Sequence, residues 1–186
     1  MEEEMRKLEK GKWFCDYLVQ LGIQYEWCIR HKKVLGCEES EQYYQRFISY
    51  IGDDYCIGKN LLLQERKGEK RIFLLVVPYQ KRVDLKELSE QLITKKLEFV
   101  SPEKMEELLH TEPGNVSIFN LIYDKEQHVH LVLDEEILQS KLIAFHPLYN
   151  GMSVFLKPEE VLKFLDCDQR IYEIDFINEK GYQKCL

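Results

Sequence analysis

The chain has 186 residues, of which 45% are hydrophobic, and it carries 26 basic and 33 acidic side chains, a formal net charge of −7. This length and composition are typical of one globular domain and exclude a disordered, collagen-like or coiled-coil chain. The longest uninterrupted apolar run, Ile72–Val77, is far shorter than the ~20 residues that a membrane-spanning helix needs. The acidic N-terminus lacks the apolar segment of a secretory signal. We therefore expect one domain over residues 1–186, in the cytoplasm and without membrane association.

The charge is distributed unevenly along the chain. Residues 59–104 carry 11 basic and 7 acidic side chains, whereas residues 105–186 carry 7 basic and 15 acidic ones. A basic segment can neutralise phosphates even in an acidic protein. Lysines at hairpin turns and strand edges also keep a sheet soluble, so both interpretations stay open. The basic residues concerned are Lys59, Arg66, Lys67, Lys70, Arg71, Lys81 and Arg82.

The predicted elements follow from apolar periodicity, caps and turns, taken in chain order. Helices are predicted from the N-terminus to Leu21 and over 38–50, 84–92, 101–109 and 158–165. Asp84, followed by Glu87, is the predicted cap of the helix over 84–92, and Ser101, followed by Pro102, is that of the helix over 101–109. Strands are predicted over 25–29, 60–64, 71–77, 119–123, 129–133, 143–145, 152–156 and 171–175. The polar, glycine-containing segment between the second and third strands indicates a β-hairpin. Because helices and strands alternate irregularly, we expect an α/β fold of the mixed α+β type, with a mixed β-sheet surrounded by helices.

Lysine and histidine side chains at three places in the chain are candidates for chemistry. Lys59 stands between Gly58 and an apolar strand, where it either presents a short-range cation or extends to water. His146 follows the strand over 143–145 and precedes Pro147, a position compatible with a site or with a structural histidine. His128 and His130 alternate along a strand, as metal ligands do, although solvent-facing pairs are commoner.

Several motifs that would anchor other chemistry are missing from the sequence. It contains no phosphate-binding loop, no dinucleotide glycine fingerprint and no Gly-x-Ser-x-Gly serine-hydrolase motif. The six cysteines form no Cys-x-x-Cys pair, so we predict reduced thiols and no metal site.

Seven collinear segments resemble the YbaK/ProX family of free-standing aminoacyl-tRNA editing proteins, in particular its prolyl-tRNA deacylase branch. These segments are 22–26, 31–39, 58–63, 81–85, 99–103, 112–117 and 143–147. The similarity spans residues 13–175, nearly the whole chain. It implies the family's editing-domain fold and hydrolysis of the ester of mischarged tRNA(Pro), chiefly alanyl-tRNA(Pro), without metal or organic cofactor. It also implies the tRNA acceptor end as a partner, with prolyl-tRNA synthetase as a further candidate.

The resemblance assigns roles to individual residues. It implies Lys59 and His146 as catalytic residues. It implies a substrate-binding set composed of Asn60, Gly114, Asn115, Val116, Ser117, Ile118 and Asn150. The basic segment suits the phosphates of the acceptor stem, which makes Arg66, Lys67, Lys70, Lys81 and Arg82 candidate tRNA-binding residues.

The implied chemistry is physically consistent with these residue types. An aminoacyl ester is already activated, so positioning a water or a ribose hydroxyl and stabilising the oxyanion with Lys59 would suffice. Glycine at position 114 allows close backbone approach. A second hydrolytic pocket can remove the smaller alanine that a proline-shaped pocket cannot strongly reject.

The sequence departs from the family pattern at three places. Ile118 replaces the proline that ends the family's glycine loop, Lys32–Lys33 replaces a Pro-Pro pair, and residues 151–153 read Gly-Met-Ser instead of Thr-Ala-Thr. An alternative is therefore a non-catalytic module that binds an amino acid or tRNA.

Overall fold

The computed structural model describes residues 2–34, 36–166, 174–178 and 181–184, the last two ranges as backbone only. The α-helices are α1 (Glu2–Gln20), α2 (Cys37–Tyr44), α3 (Ile48–Ile51), α4 (Leu85–Gln91), α5 (Pro102–Leu109) and α6 (Pro158–Asp166). Short 3₁₀ helices cover Gln45–Phe47, Ile118–Tyr123 and Glu135–Gln139. Within these ranges, no helix is long and apolar enough to cross a membrane.

Nine strands in the described part of the chain form one mixed sheet. They are β1 (Trp27–Arg30), β2 (Tyr55–Glu65), β3 (Ile72–Pro78), β4 (Leu97–Phe99), β5 (Val129–Asp134), β6 (Leu142–Phe145), β7 (Met152–Leu156), β8 (Ile174–Asn178) and β9 (Gly181–Lys184). Their order is β1-β7-β6-β2-β3-β5-β8-β9, and β4 pairs with β2 outside this path. Three of the strand pairs are parallel (β2 with β6, β3 with β5, β5 with β8), and the others are antiparallel. The predicted mixed sheet surrounded by helices is confirmed.

The helices cover the sheet through three clusters of buried apolar residues. The largest joins α1, α6 and the 3₁₀ segment Ile118–Tyr123 to the sheet. Its centre is aromatic: Phe119 packs against Phe14, Phe164 and Phe145, with ring centroids 4.9, 5.0 and 5.8 Å away. The second cluster lies beneath α4, and the third lies beneath α2 and α3.

The predicted caps form as expected because they depend on neighbours two or three residues away. The Asp84 side chain accepts hydrogen bonds from the backbone N–H groups of Lys86 and Glu87 at the start of α4. Ser101 accepts one from Lys104 N–H at the start of α5, where Pro102 occupies the first helical position. Such caps satisfy N–H groups that have no partner within the helix.

Some predicted boundaries are wrong. The strand predicted over 119–123 is a 3₁₀ helix, because Ser117 and Asn120 form a reciprocal capping box at its start. Strand β2 begins at Tyr55, five residues before the predicted start, so Lys59 lies inside a strand. The predicted helix over 38–50 is divided into α2, a 3₁₀ turn and α3. The predicted last strand over 171–175 lies partly outside the described residues.

Candidate functional site

A cavity lies beside a gap along one edge of β2. β3 pairs with β2 over residues 58–64. On the opposite edge, β6 pairs over residues 55–57 and β4 over residues 63–65. Between these two partners, no strand of the described part of the chain pairs with residues 58–61 on this edge, and a cavity of about 570 Å³ lies beside it. This volume suits a small organic ligand.

Lys59 lies on β2 at this cavity, and its ammonium group is held by backbone carbonyls. Lys59 Nζ donates to the carbonyl oxygen of Lys81 at 2.6 Å and to that of Tyr79 at 3.2 Å. An ammonium group has three N–H donors, so one donor remains for a ligand. The structure therefore favours the short-range cation over the extended, solvated lysine.

Asn60 and Asn150 line the same cavity. Asn60 Nδ2 donates to the Gly58 carbonyl at 3.2 Å. Asn150 Nδ2 donates to the carbonyls of Val34 and Gly114 at 3.1 and 3.2 Å, which ties the segment before α2 to the glycine loop. Gly114 adopts a φ of +80°, a conformation that favours glycine, and no atom approaches the position of a Cβ there within 4 Å.

His146 follows β6, and its Nε2 atom is buried without a hydrogen-bond partner. Burial lowers the pKa of the imidazole to about 4, although hydrogen bonds to backbone carbonyls of Asn115 and Val116 oppose the shift. The imidazole is therefore neutral at pH 7. A neutral ring can exchange protons or accept hydrogen bonds, whereas it adds no positive charge to the cavity.

Only part of the predicted 115–118 segment reaches the cavity wall. Val116 lines the cavity. Asn115 bonds the backbone of Leu148 and Asn150, and Ser117 Oγ donates to the His146 carbonyl at 2.9 Å. These two side chains therefore position the loop that carries His146 and Asn150. The Ile118 side chain is fully buried in the largest core cluster and does not line the cavity.

His31, Ser153 and Tyr44 form a hydrogen-bonded chain on the cavity wall that was not predicted from the sequence. His31 Nδ1 bonds the Lys32 carbonyl at 2.7 Å, so this nitrogen carries the proton, and Nε2 accepts from Ser153 Oγ at 2.9 Å. Ser153 Oγ also accepts from the Tyr44 hydroxyl at 2.6 Å. These hydrogen bonds orient the hydroxyl groups of Ser153 and Tyr44. Burial raises the pKa of Tyr44 to about 12, so its hydroxyl group is protonated at neutral pH. His31 lies in segment 31–39, one of those that carry the family resemblance. This was the feature of the sequence that could have identified His31 as a site residue.

Cys37 and Phe99 also line the cavity, and the sequence analysis named them only as parts of the resembling segments 31–39 and 99–103. Cys37 lies at the start of α2, and burial raises the pKa of its thiol to about 11, so it supplies no thiolate at neutral pH. Phe99, at the end of β4, is 58% exposed beside the open β2 edge. The described residues contain no group of three or more His, Cys, Asp or Glu side chains that could hold a metal ion.

The candidate tRNA-binding residues do not form one patch. Arg66, Lys67 and Lys70 lie in the exposed turn between β2 and β3. This turn is seven or more residues along the strand from Lys59, roughly 25 Å at 3.3 Å per residue. Lys81 and Arg82 follow β3 near the cavity, but Lys81 Nζ lies 2.7 Å from Asp134 and 3.1 Å from Glu136. Arg66 also lies 3.8 Å from Glu98, whereas Arg82 is exposed.

The chain is similar to known proteins whose names refer to prolyl-tRNA editing or to prolyl-tRNA synthetase. The prolyl-tRNA editing protein ProX of Acetoanaerobium sticklandii is 30% identical over 156 residues, which cover 84% of this chain and 90% of ProX. The prolyl-tRNA synthetase associated domain-containing protein 1 of Danio rerio is 29% identical over 153 residues, covering 81% and 78% of the two chains.

Solved structures share the fold. One, described as a candidate trans-editing enzyme for prolyl-tRNA synthetase, matches with a TM-score of 0.57 and 20% identity over 73% of this chain and 78% of that one. Another, described only as a hypothetical protein, matches with a TM-score of 0.62 and 14% identity over 86% and 94%.

The profile of the aminoacyl-tRNA editing domain matches residues 35–164, well over half of the chain. This range includes β2 with Lys59, the glycine loop and the segment that carries His146 and Asn150. Together with the similarity to ProX, the match confirms the resemblance stated from the sequence: the chain belongs to the aminoacyl-tRNA editing domain family.

Proposed function

We propose that the protein is a trans-acting deacylase that hydrolyses the ester of mischarged tRNA(Pro), with alanyl-tRNA(Pro) as its principal substrate. The observation that carries this proposal is the cavity at the open edge of β2, lined by Lys59, Asn60, Gly114, His146 and Asn150. In this proposal, residues 1–186 act as one cytoplasmic editing domain on the acceptor end of the tRNA. Prolyl-tRNA synthetase is a candidate partner.

The position of Lys59 supports ester hydrolysis. Attack on the ester carbonyl places negative charge on its oxygen, and a fixed donor aimed at that oxygen stabilises the transition state. The carbonyls of Tyr79 and Lys81 hold two donors of the Lys59 ammonium, which leaves the third for the oxyanion. The nucleophile is then a positioned water or the ribose hydroxyl of the substrate.

The chemistry of the cavity wall supports a small aminoacyl group. Apolar atoms of Val34, Val116 and Ala144 form part of the lining and can contact a methyl side chain. A synthetase site shaped for proline cannot strongly reject the smaller alanine, so accuracy requires a second site that hydrolyses the error. A separate editing protein fulfils that requirement.

The direct test is release of alanine from alanyl-tRNA(Pro) by the purified protein. We expect Lys59→Ala to lower kcat by roughly 100- to 1,000-fold, the usual effect of losing one oxyanion donor. Lys125→Ala is the matched control, because Lys125 is an exposed lysine in a turn outside the cavity lining, and it should leave kcat unchanged. Circular dichroism should establish that both variants fold like the parent.

No hydrolysis of alanyl-, cysteinyl-, seryl- or threonyl-tRNA by the parent protein would refute the deacylase. Thermal stabilisation by free proline without hydrolysis would then favour the non-catalytic binding module, because a ligand that binds only the folded state raises apparent stability. The core position of Ile118 weakens one reason for that alternative, since the Ile118 side chain does not line the cavity.

A further inference from the structure

Two cysteine thiols from different elements lie in contact at one end of the sheet, away from the cavity lining. Cys15 lies on α1 and Cys28 on β1, and their Sγ atoms are 3.9 Å apart. Both cysteines are free in this structure. A disulfide bond is about 2.0 Å long, so the two sulfurs need to approach each other by roughly 1.9 Å to form one. Because Cys28 lies at the surface, its side chain has room for such a movement.

The two thiols differ in exposure, and this difference gives them different chemical roles. Cys15 is 5% exposed and belongs to the largest core cluster, whereas Cys28 is exposed. The Cys15 thiol donates its hydrogen to Cys28 Sγ, which lowers the pKa of Cys28 and, together with burial, raises the pKa of Cys15. The thiolate is the form that reacts with oxidants. Cys28 is therefore the accessible nucleophile, and Cys15 is a second thiol held beside it.

A bond between these thiols would join an end strand of the sheet to the helix that covers it. β1 has four residues, lies at one end of the strand order and pairs with β7. Ile29, the one buried residue of β1, belongs to the cluster beneath α2 and α3. Because neighbouring side chains of a strand point to opposite faces, Cys28 points to the other face, where it meets Cys15 of α1.

We propose that Cys15 and Cys28 are an oxidative modification site, which forms a reversible disulfide on reaction with a peroxide and thereby fastens α1 to β1. Cys28 Sγ attacks one oxygen of the peroxide, the O–O bond breaks, and Cys28 becomes a sulfenic acid. The Cys15 sulfur then attacks the Cys28 sulfur, so that an S–S bond forms, the S–O bond breaks and water leaves. With hydrogen peroxide, the two thiols lose two electrons and two protons in all, and two water molecules form. A dithiol reductant restores both thiols by thiol–disulfide exchange.

The contact between the sulfurs also protects Cys28 from irreversible oxidation. A sulfenic acid with no thiol beside it is oxidised further to a sulfinic acid, which thiol reductants do not reverse. With Cys15 Sγ 3.9 Å away, condensation of the two sulfurs is an intramolecular reaction between groups already in place. It therefore precedes the second oxidation, and Cys15 is the resolving thiol of the pair.

The experiment treats the full-length protein with hydrogen peroxide, alkylates the remaining thiols after unfolding, and digests the product with trypsin. One tryptic peptide, Trp13–Arg30, contains both cysteines of the pair and no other cysteine. We expect this peptide to be lighter by two hydrogen atoms and to lose both alkylation sites, and dithiothreitol to restore them. Alkylation at both cysteines after peroxide treatment would overturn the proposal. So would a Cys28 of the parent protein that is oxidised to sulfinic acid or bonded to a second protein molecule.

Two variants and an internal control assign the reaction to this pair. Under the same treatment, Cys15→Ser should accumulate Cys28 as sulfinic acid, two oxygen atoms heavier, and Cys28→Ser should keep the buried Cys15 reduced. Cys56 is the internal control, because it is buried and burial raises its pKa to about 11. Its tryptic peptide, residues 47–59, contains no other cysteine and should stay alkylated. Oxidation of Cys56 as fast as that of Cys28 would contradict a selective site.

Thermal unfolding measures whether the bond fastens α1 to β1. The disulfide would close a loop between residues 13 positions apart, which restricts the unfolded chain. We expect the midpoint of thermal unfolding of the oxidised parent to lie roughly 5–10 °C above that of the reduced parent. Cys28→Ser should have the same midpoint with and without peroxide. Equal midpoints for the two forms of the parent would refute the fastening of α1. These measurements need no substrate, so their outcome is independent of the proposed deacylase activity.

Discussion

At the residue scale, the neighbours of each side chain decide what it can do. The Lys59 ammonium is held by carbonyls about twenty positions further along the chain. Gly58, its neighbour on β2, has no room for a side chain. A Cβ there would overlap Cε1 of Phe145 and lie 2.8 Å from Cδ1 and Cζ of the same ring. Because Phe145 is buried and lines the cavity, the absence of a side chain at Gly58 sets the position of one wall.

We therefore expect Gly58→Ala to disturb both stability and the site. The added methyl group forces the Phe145 ring to move in a closely packed core, which should destabilise the fold by roughly 1–3 kcal/mol. Deacylation should fall with it, because the ring lines the cavity. Urea denaturation and the alanine-release assay measure the two effects.

The control for this overlap is Gly52→Ala. No atom lies within 4 Å of a Cβ at Gly52, but its φ of 79° and ψ of 178° are essentially restricted to glycine, so backbone strain of roughly 1–3 kcal/mol without steric overlap is expected there. Gly52 does not line the cavity, so Gly52→Ala should leave the activity of the folded protein unchanged. If Gly58→Ala also left that activity unchanged, the steric explanation would fail.

At the element scale, the 3₁₀ segment Ile118–Tyr123 shows why an apolar run can mislead. Its residues 118, 119 and 121 are fully buried, as those of a core strand would be. Asn120 decides the conformation: its Oδ1 accepts from Ser117 N–H at 2.8 Å, and its Nδ2 donates to the Leu109 carbonyl at 3.1 Å. Through Ser117, which bonds the His146 carbonyl, this turn also supports the site.

Replacing Asn120 with leucine should destabilise the protein by roughly 2 kcal/mol or more. The substitution leaves the buried Ser117 N–H and Leu109 C=O without these partners, and each such loss costs roughly 1–3 kcal/mol. The midpoint of urea denaturation measures the change. Gln139→Leu, at an exposed position of another 3₁₀ helix, should change stability by no more than about 0.5 kcal/mol. Equal effects of the two substitutions would remove the structural role assigned to Asn120.

At the scale of the whole molecule, the basic segment of the sequence becomes two separate regions. Lys59, Lys81 and Arg82 lie near the cavity, and Arg66, Lys67 and Lys70 lie at the far end of the hairpin. Ion pairs with Asp134 and Glu136 partly neutralise Lys81. Glu65 anchors the base of the turn: burial alone would raise its pKa, but hydrogen bonds from Arg71, Thr94 and Lys95 lower it to about 2. If the terminal ester of a tRNA enters the cavity, the turn between β2 and β3 can contact only parts of the tRNA that lie well before its last nucleotide.

If the turn contacts the tRNA backbone, Lys67→Ala and Lys70→Ala should raise KM without lowering kcat. Each lost phosphate contact should also reduce the slope of log(kcat/KM) against log salt by about 1. Deacylation assays over a range of potassium chloride concentrations measure this. Lys125→Ala should keep the parental slope, and parental slopes in all three variants would exclude the turn from the tRNA interface.

The sequence by itself determined the properties that depend on composition and near neighbours. These include a mixed α+β domain, the caps at Asp84 and Ser101, the hairpin turn, and the family, through motifs that are local in the chain. Each of these properties depends on residues a few positions apart or on the pattern of apolar side chains. Both kinds of information can be taken directly from the sequence.

Only the tertiary structure decided the environment of the site. It placed a gap in the sheet beside Lys59, brought Ser153 to within 2.9 Å of His31 across 122 positions, and buried Ile118 in the core rather than at the cavity. It also left the amide oxygens of Asn60 and Asn150 and the Nε2 atom of His146 without partners. These features arise from contacts between segments distant in sequence, and local periodicity carries no information about which distant atoms meet.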